Sequence, residues 1–341
     1  MNSPEPMEYS PEPMEYSLER MKHAPERMGG LERPINIKWP TRAIKTAGSI
    51  VLLAVSLSLG MSVVSAEEAS RCVVDDSGTE VCLAAPAQRI VALAPSVTEL
   101  LFAAGAGEKV VGAVSFSDYP KAAQALPRVG SYDRIDLEAL LALEPDLVVS
   151  WDGGNPREQV ERLSALGIKV FHSDAKSFET IASTLERLGV LADSQDKAEQ
   201  AATALRDDIR DLTQRYADSE PVSVFYEVWE RPLMTINGQH WISQSLALCG
   251  GVNLFADEAP MVPRISQEAV LAANPEAIIT GGMGKADSSW LDAWQAYPHL
   301  KAVERDNLFF INPDLVQRAT PRLVEGTKSL CRHLESARER R

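Results

Sequence analysis

The chain is expected to be α/β, with two lobes of mainly parallel strands and covering helices joined by a single long helix. Three observations predict this. First, IDLEALLALEPDLVV at 135–149 recurs as ISQEAVLAANPEAII at 265–279, which suggests two lobes that each hold one copy. Second, strand-like and helix-like periods alternate from Arg89 onward, the pattern of a parallel sheet with helices on both faces. Third, residues 193–219 contain neither Gly nor Pro and carry Ala198, Ala201, Ala202, Leu205, Ile209, Leu212 and Tyr216 at helical spacing. One helix of that length would span roughly 35 Å and hold two lobes at a nearly fixed separation.

The start of the chain is of a different kind. Residues 3–16 contain SPEPMEY twice, a Pro- and Glu-rich stretch that cannot bury a core, so residues 1–37 are read as disordered or as an over-extended gene start. Residues 38–66 have the parts of a secretory signal: basic Lys38, Arg42 and Lys45, an apolar run from Ala47 to Val64, and Val64-Ser65-Ala66 as a cleavage site. Cleavage after Ala66 leaves 341 − 66 = 275 residues; the alternative is that the segment stays as an uncleaved membrane anchor. The first 66 residues hold seven acidic and seven basic side chains, so the net charge of −14 belongs to the exported part. Such an acidic protein is a poor binder of nucleic acid or anionic membrane and suits a basic partner surface.

Four cysteines follow the signal. Cys72 and Cys82 flank VVDDSGTEV, two strand-like pieces around a turn, so residues 67–85 read as a hairpin that a disulfide could close, which leaves Cys249 with Cys331. Spacing alone does not choose among the three connectivities. Export favours disulfides, no CxxC metal knuckle is present, and Cys72 lacks a lipobox.

In the first lobe, residues 86–192, RIVALAP reads as a strand, SVTELLFAAGAG as a capped amphipathic helix and KVVGAVS as a strand. In each repeat copy an N-cap (Asp136, Ser266) opens a short helix, a Glu follows (Glu138, Glu268), and a Pro (Pro145, Pro275) ends it before an apolar strand, LVVSW or AIITGG. A carboxylate in a first helical turn suits the macrodipole, but two at equivalent places also mark a surface a partner could grip. After the first copy, GNPREQVERLSALG is a helix, IKVFHS a strand and SFETIASTLERLGVL a helix. The second lobe, residues 220–341, repeats the alternation: VSVFYEVW and PLMTIN as strands, a helix from Trp241 to Cys249, GGVNLF, the second copy, a helix near Ser288 to Ala296, the strand NLFFIN and a terminal helix from Pro321.

Catalytic patterns are missing. There is no GxSxG, HExxH or GxGxxG after a strand, and GGMGKAD lacks the spacing of a phosphate loop and reads as a plain turn. His172, His240, His299 and His333 are scattered, which argues against a metal centre. What remains are aromatic and polar groups at strand ends, where open α/β sheets bind ligands: Phe116, Tyr119, Tyr132 and Trp151 in the first lobe, Trp229, Trp241 and Pro313 to Arg318 in the second. Asp314 and Arg318 could instead pair with each other on the surface.

The segments RIVALAPSVTELLFAAG, GAVSFSDYP, LEALLALEPDLVVSWDGGN, LGIKVFHSDAKSFETI, DKAEQAA, LALCGGVNLF, VPRISQEAVLAANPEAIITGG and PDLVQRATPRL cover nearly the whole exported part. In them the chain resembles the periplasmic substrate-binding proteins of the cobalamin and iron-siderophore group of ABC importers, most nearly the cobalamin-binding branch. The resemblance implies a class III binding protein, two Rossmann-like lobes on one long helix with a ligand cleft between them. It implies that Glu138 and Glu268 dock onto the permease, and that Cys249 and Cys331 occupy the branch's disulfide positions. The aromatic wall that grips the corrin in that branch falls here on Phe116, Tyr132, Trp151, Leu233 and Val262, and the polar contacts on Asp314, Leu315, Val316, Gln317 and Arg318.

Relative to that branch, Phe116 stands for Tyr, Tyr132 for Trp, Leu233 for Phe and Val262 for Trp, while Trp151, Asp314 and Arg318 are retained. The first-lobe wall stays aromatic and the second has become aliphatic. The expectation is a periplasmic, monomeric, non-enzymatic receptor that passes a cobalamin-like corrinoid to a transmembrane permease and holds no cofactor or metal of its own. A ferric siderophore or haem receptor is the rival ligand class, and a metal- or cofactor-dependent enzyme on the same scaffold the rival of another kind.

Overall fold

A computed structural model describes residues 70–282 and 288–341. The low-complexity start, the signal with its cleavage site, and most of GGMGKAD lie outside the described residues.

The described chain begins with a hairpin, β1 (Arg71–Val74) against antiparallel β2 (Glu80–Leu83), with Cys72 opposite Cys82 and bridged to it. Its turn docks on the first lobe. Asp76 donates its N–H to the carbonyl of His172, and the carboxylates of Asp75 and Asp76 accept from the N–H groups of His172 and Asp174.

The first lobe then runs β3 (Ile90–Ala92), α1 (Pro95–Ala103), β4 (Val110–Ala113), the small ribbon β5 (Gly130–Ser131) and β6 (Arg134–Ile135), α2 (Leu137–Leu141), β7 (Leu147–Trp151), α3 (Arg157–Ala165), β8 (Lys169–Ser173) and α4 (Phe178–Ala192). β3, β4, β7 and β8 form one parallel sheet in the order β4-β3-β7-β8. β7 is buried from Leu147 to Ser150, as a strand covered on both faces must be. α1 corrects one expectation: it has no side-chain cap, because its N-cap is Ala94, which has no side-chain acceptor, and Pro95 opens the first turn, where a missing N–H costs nothing.

The connector α5 (Gln195–Tyr216) is one unbroken helix of 22 residues. It buries Ala198, Ala202, Leu205, Leu212 and Tyr216, the expected stripe, and no helix among the described residues is long and apolar enough to cross a membrane.

The second lobe contains β9 (Val222–Glu227), α6 (Trp241–Leu248), β10 (Gly251–Asn253), α7 (Gln267–Ala273), β11 (Ala277–Thr280), α8 (Lys301–Glu304), β12 (Leu308–Phe310), α9 (Pro313–Val316) and α10 (Leu323–Glu339). Its parallel sheet is ordered β10-β9-β11-β12. Counted within each lobe, both sheets therefore have the order 2-1-3-4, and the repeat supplies the same piece to each: the helix before the third strand and that strand itself. Asp136 and Ser266 accept from the N–H groups of Ala139 and Ala269, as the N-cap reading requires. A left-handed residue precedes each proline, Glu144 (φ 47°) and Asn274 (φ 46°).

One second-lobe expectation changes. PLMTIN is not a strand of the sheet: only Met234 bridges, to Trp229 and Arg264, and Thr235 and Asn237 donate their N–H groups to the carbonyls of Pro263 and Met261. The helix expected near Ser288 to Ala296 is present as Ser289–Ala296, with 3-10 geometry. Cys249 and Cys331 are fully buried and bridged, stapling the end of α6 to α10.

Candidate functional site

Because every strand in each sheet points the same way, the strand ends of a lobe form one surface. In the first lobe that surface is organised by Asn155. Its amide donates to the carbonyls of Leu93 (2.8 Å) and Tyr132 (2.7 Å), and its oxygen accepts from the N–H of Trp151 (2.6 Å). One side chain thereby ties the end of β3, the β5–β6 turn and the end of β7. The Tyr132 and Trp151 rings lie 5.7 Å apart at 56°, within the range where aromatic pairs attract. The backbone of Asp152-Gly-Gly folds over Trp151 so closely that a Cβ on Gly154 would lie 2.2 Å from the indole. Glycine is required there by the ring.

Phe116 follows β4 and is 74% exposed, with its backbone in the left-handed region at φ 63°. A bulky residue in that conformation stores strain and needs outside support. Arg318 supplies it from the other lobe by donating to the Phe116 carbonyl at 3.2 Å. Tyr119 is exposed as expected and also lies under the guanidinium of Arg322, 4.0 Å from ring centroid to carbon.

The second-lobe surface is built differently. Leu233 packs partly buried on the cluster of Phe225, Phe255 and Trp294, while Val262 is exposed. Trp229 meets Trp290 edge to face at 5.8 Å and donates its N–H to the Arg231 carbonyl. Trp241 donates to the Val316 carbonyl at 2.7 Å, so it anchors α9. Val316 is fully buried and supports α9 from beneath, leaving Asp314, Leu315, Gln317 and Arg318 as the partly accessible members of the polar set. Gln317 donates to the Gly282 carbonyl.

Arg318 does pair with Asp314, but only at 3.9 Å. Its stronger partners are Glu99 at 2.8 Å and Asp118 at 3.0 Å in the first lobe. Burial works against its charge, and the bonds to Glu99 and Asp118 outweigh that and raise its pKa. The sequence reading missed Glu99, Asn155 and Arg322. A charged residue within the apolar helix SVTELLFAAG was a legible sign of a buried, partnered carboxylate; Asn155 carried no sign beyond its place after two glycines.

Two buried ionisable groups lie in the second lobe. Burial pushes Glu227, at the end of β9, up to about 7, although the Trp294 N–H at 2.8 Å favours its charged form. His240 caps α6 by accepting the Ile242 N–H at Nδ1, and burial lowers its pKa to about 3. Among the described residues one group of potential metal ligands occurs, Cys72 with Glu80 and Cys82, and its sulfurs are spent in the disulfide.

Glu138 and Glu268 are both exposed in first helical turns, in the same run of exposed and buried neighbours. For Glu268, a hydrogen bond from its own backbone N–H and one from Ser266 hold the carboxyl below its usual range.

Residues 90–315 match the family described as periplasmic binding protein. The vitamin B12-binding protein of Vibrio cholerae is 37% identical over 254 residues, covering 74% of this chain and 91% of its own. The crystal structure of the periplasmic vitamin B12 binding protein of Vibrio cholerae superposes with a TM-score of 0.69 at 37% identity, covering 74% of this chain and 99% of that one. The periplasmic heme-binding protein of Roseiflexus sp. RS-1 shares the fold at a TM-score of 0.65 and 23% identity, covering 73% of this chain and 99% of that one. Two parallel sheets of one topology on a single helix, matched along residues 90–315, are the class III form, and this chain belongs to the periplasmic binding protein family.

Proposed function

We propose that this chain is an exported receptor that captures a cobalamin-type corrinoid and delivers it to the permease of an ABC importer, without catalysing a reaction. The observation that carries the ligand reading is the first-lobe shelf: Tyr132 and Trp151, clamped by Asn155, with Phe116 exposed in the loop whose Ser115 donates its N–H to the Gly130 carbonyl. A corrin needs apolar area under its ring and hydrogen-bonding groups for its amide fringe. The aromatic trio offers the first, and Asp314, Gln317 and Arg318 the second. Glu138 and Glu268, one exposed carboxylate at the same topological place in each lobe, suit docking onto a basic permease surface. Export to the periplasm fits the two disulfides, and a monomer suffices because the cleft is formed within one chain.

Calorimetric titration of the chain from Glu67 onward with cyanocobalamin, cobinamide, haem and a ferric siderophore tests the ligand. Tight one-to-one binding confined to corrinoids is the expected result. Heat with haem or the iron chelate and none with corrinoids would overturn the corrinoid reading and point to the aliphatic Leu233 and Val262 as the change that altered the ligand.

A further inference from the structure

Glu99 is 3% exposed on α1 of the first lobe, yet its carboxylate partners all come from the second. Arg318 donates to it at 2.8 Å, Arg322 at 3.1 Å and the Thr320 hydroxyl at 2.9 Å. A buried carboxylate with one partner would be costly, and three charge-assisted or hydroxyl donors satisfy it. The same two arginines grip the loop after β4. Arg318 reaches Asp118 and the Phe116 carbonyl, and Arg322 lies over the Tyr119 ring. Within the first lobe, Arg128 donates to the Ser117 carbonyl, and the buried hydroxyls of Thr98 and Ser117 are 2.9 Å apart. The loop carrying the exposed Phe116 ring is thus held from both lobes, and Glu99 is the one group that fixes both arginines.

We propose that Glu99 is a positioning residue: through Arg318 and Arg322 it locks the separation of the two lobes and sets the Phe116 loop where the ligand meets it. The lock complements α5. The helix limits how far the lobes move, while the Glu99 cluster fixes them on the side where the strand ends meet. Ligand capture then requires little rearrangement, and the lobes have nearly one separation before and after it. The part of this inference that concerns ligand release rests on the corrinoid reading; the part that concerns lobe separation does not.

Spin labels at Leu166→Cys in the first lobe and Val252→Cys in the second, both exposed sites, report the separation by pulsed dipolar spectroscopy, with the disulfides intact. The otherwise unaltered chain should give one narrow distance that cyanocobalamin leaves unchanged. Glu99→Gln should broaden it and speed cyanocobalamin dissociation by about tenfold with association nearly unchanged, as loss of one member of a buried charge pair acts on the off-rate. Asp118→Asn alters an exposed carboxylate, tolerable for folding, and should do the same to a smaller degree; if Glu99→Gln does not fold, this variant decides. Unchanged distance distributions and unchanged off-rates in the folded variants overturn the proposal, even if their melting temperature falls, since a merely structural carboxylate would move only stability. If the parent chain binds no corrinoid, the corrinoid reading fails while the distance measurement still tests the lock.

Discussion

The two lobes share strand order, repeat and helix placement, yet their strand ends are finished differently. The first lobe closes its strand ends around Asn155 into a stiff aromatic shelf, with glycine backbone pressed on Trp151. The second presents Leu233 and Val262 with the polar side of α9, while Trp229 meets Trp290 and Trp241 is tied to a backbone carbonyl. The difference teaches that topology fixes where a ligand can sit, while a few loop residues decide what each wall contributes. In the proposed reading one lobe supplies area and orientation, and the other supplies polar contacts and, through Arg318, the link back to the first.

The proposed docking carboxylates are where the lobes should be alike, and exchanging them should have the largest effect. Glu138→Arg with Glu268→Arg is expected to abolish cobalamin uptake by cells while calorimetric affinity stays intact. A large loss of affinity would show that the pair is not a docking device. The staples come next. Replacing Cys249 and Cys331 by Ser should cost about 2–5 kcal/mol in chemical denaturation, because the bridge closes a long loop inside the second lobe, without altering affinity. Affinity falling in step with stability would place the bridge in the binding machinery.

The walls should differ. Trp151→Ala is expected to weaken corrinoid binding by at least about 1 kcal/mol, and Leu233→Ala by less, when the two are titrated side by side. The reverse order would move the shelf to the second lobe.

Glu227 and His240 give the second lobe opposing responses to acid. Glu227 binds a proton more tightly when folded, at about 7, than when unfolded, so its contribution is present at acid pH and is lost as pH rises through 7. His240, lowered to about 3, is neutral in the fold, so its contribution is present above the unfolded pKa of about 6.5 and is lost as pH falls toward 3. Glu227→Gln should therefore raise stability at pH 8 by on the order of 2 kcal/mol and leave a curve that falls more steeply below pH 6.5. A parallel shift at all pH values would remove Glu227 as a titrating group. The smallest effect tests the repeat itself. Glu144→Asn, copying the left-handed Asn274, should stabilise by about 0.5–1 kcal/mol, since Asn tolerates that conformation better than Glu.

Much of the fold was legible because it rests on local chemistry. N-caps, prolines and buried strands in the repeat are signals within about fifteen residues, and the stripe on α5 is plain periodicity. PLMTIN misled because its apolar residues match a strand while its N–H groups at Thr235 and Asn237 go to the loop carbonyls of Pro263 and Met261. The site was legible in its residue types and much less so in its wiring. Asp314 and Arg318 suggested a local pair, which forms at 3.9 Å, but the closest partner of Arg318 lies 219 positions away, and no periodicity encodes such a contact. Tyr119 is exposed like Phe116 and in addition seats Arg322, because what stacks on an exposed ring depends on what the other lobe brings to it.

The hairpin at the start of the described chain has a consequence for how the protein survives in company. β8 is the outermost strand of its sheet, and an outermost strand offers unpaired backbone donors and acceptors that other chains can extend into aggregates. The disulfide-closed turn places a peptide N–H and two carboxylates on that row at His172 and Asp174, and Arg187 clamps Asp76 from α4. With Asp75 buried and the N–H groups of His172 and Asp174 already filled, that edge is a poor template for a neighbouring strand, so the hairpin serves as a hem that keeps crowded copies from stitching together.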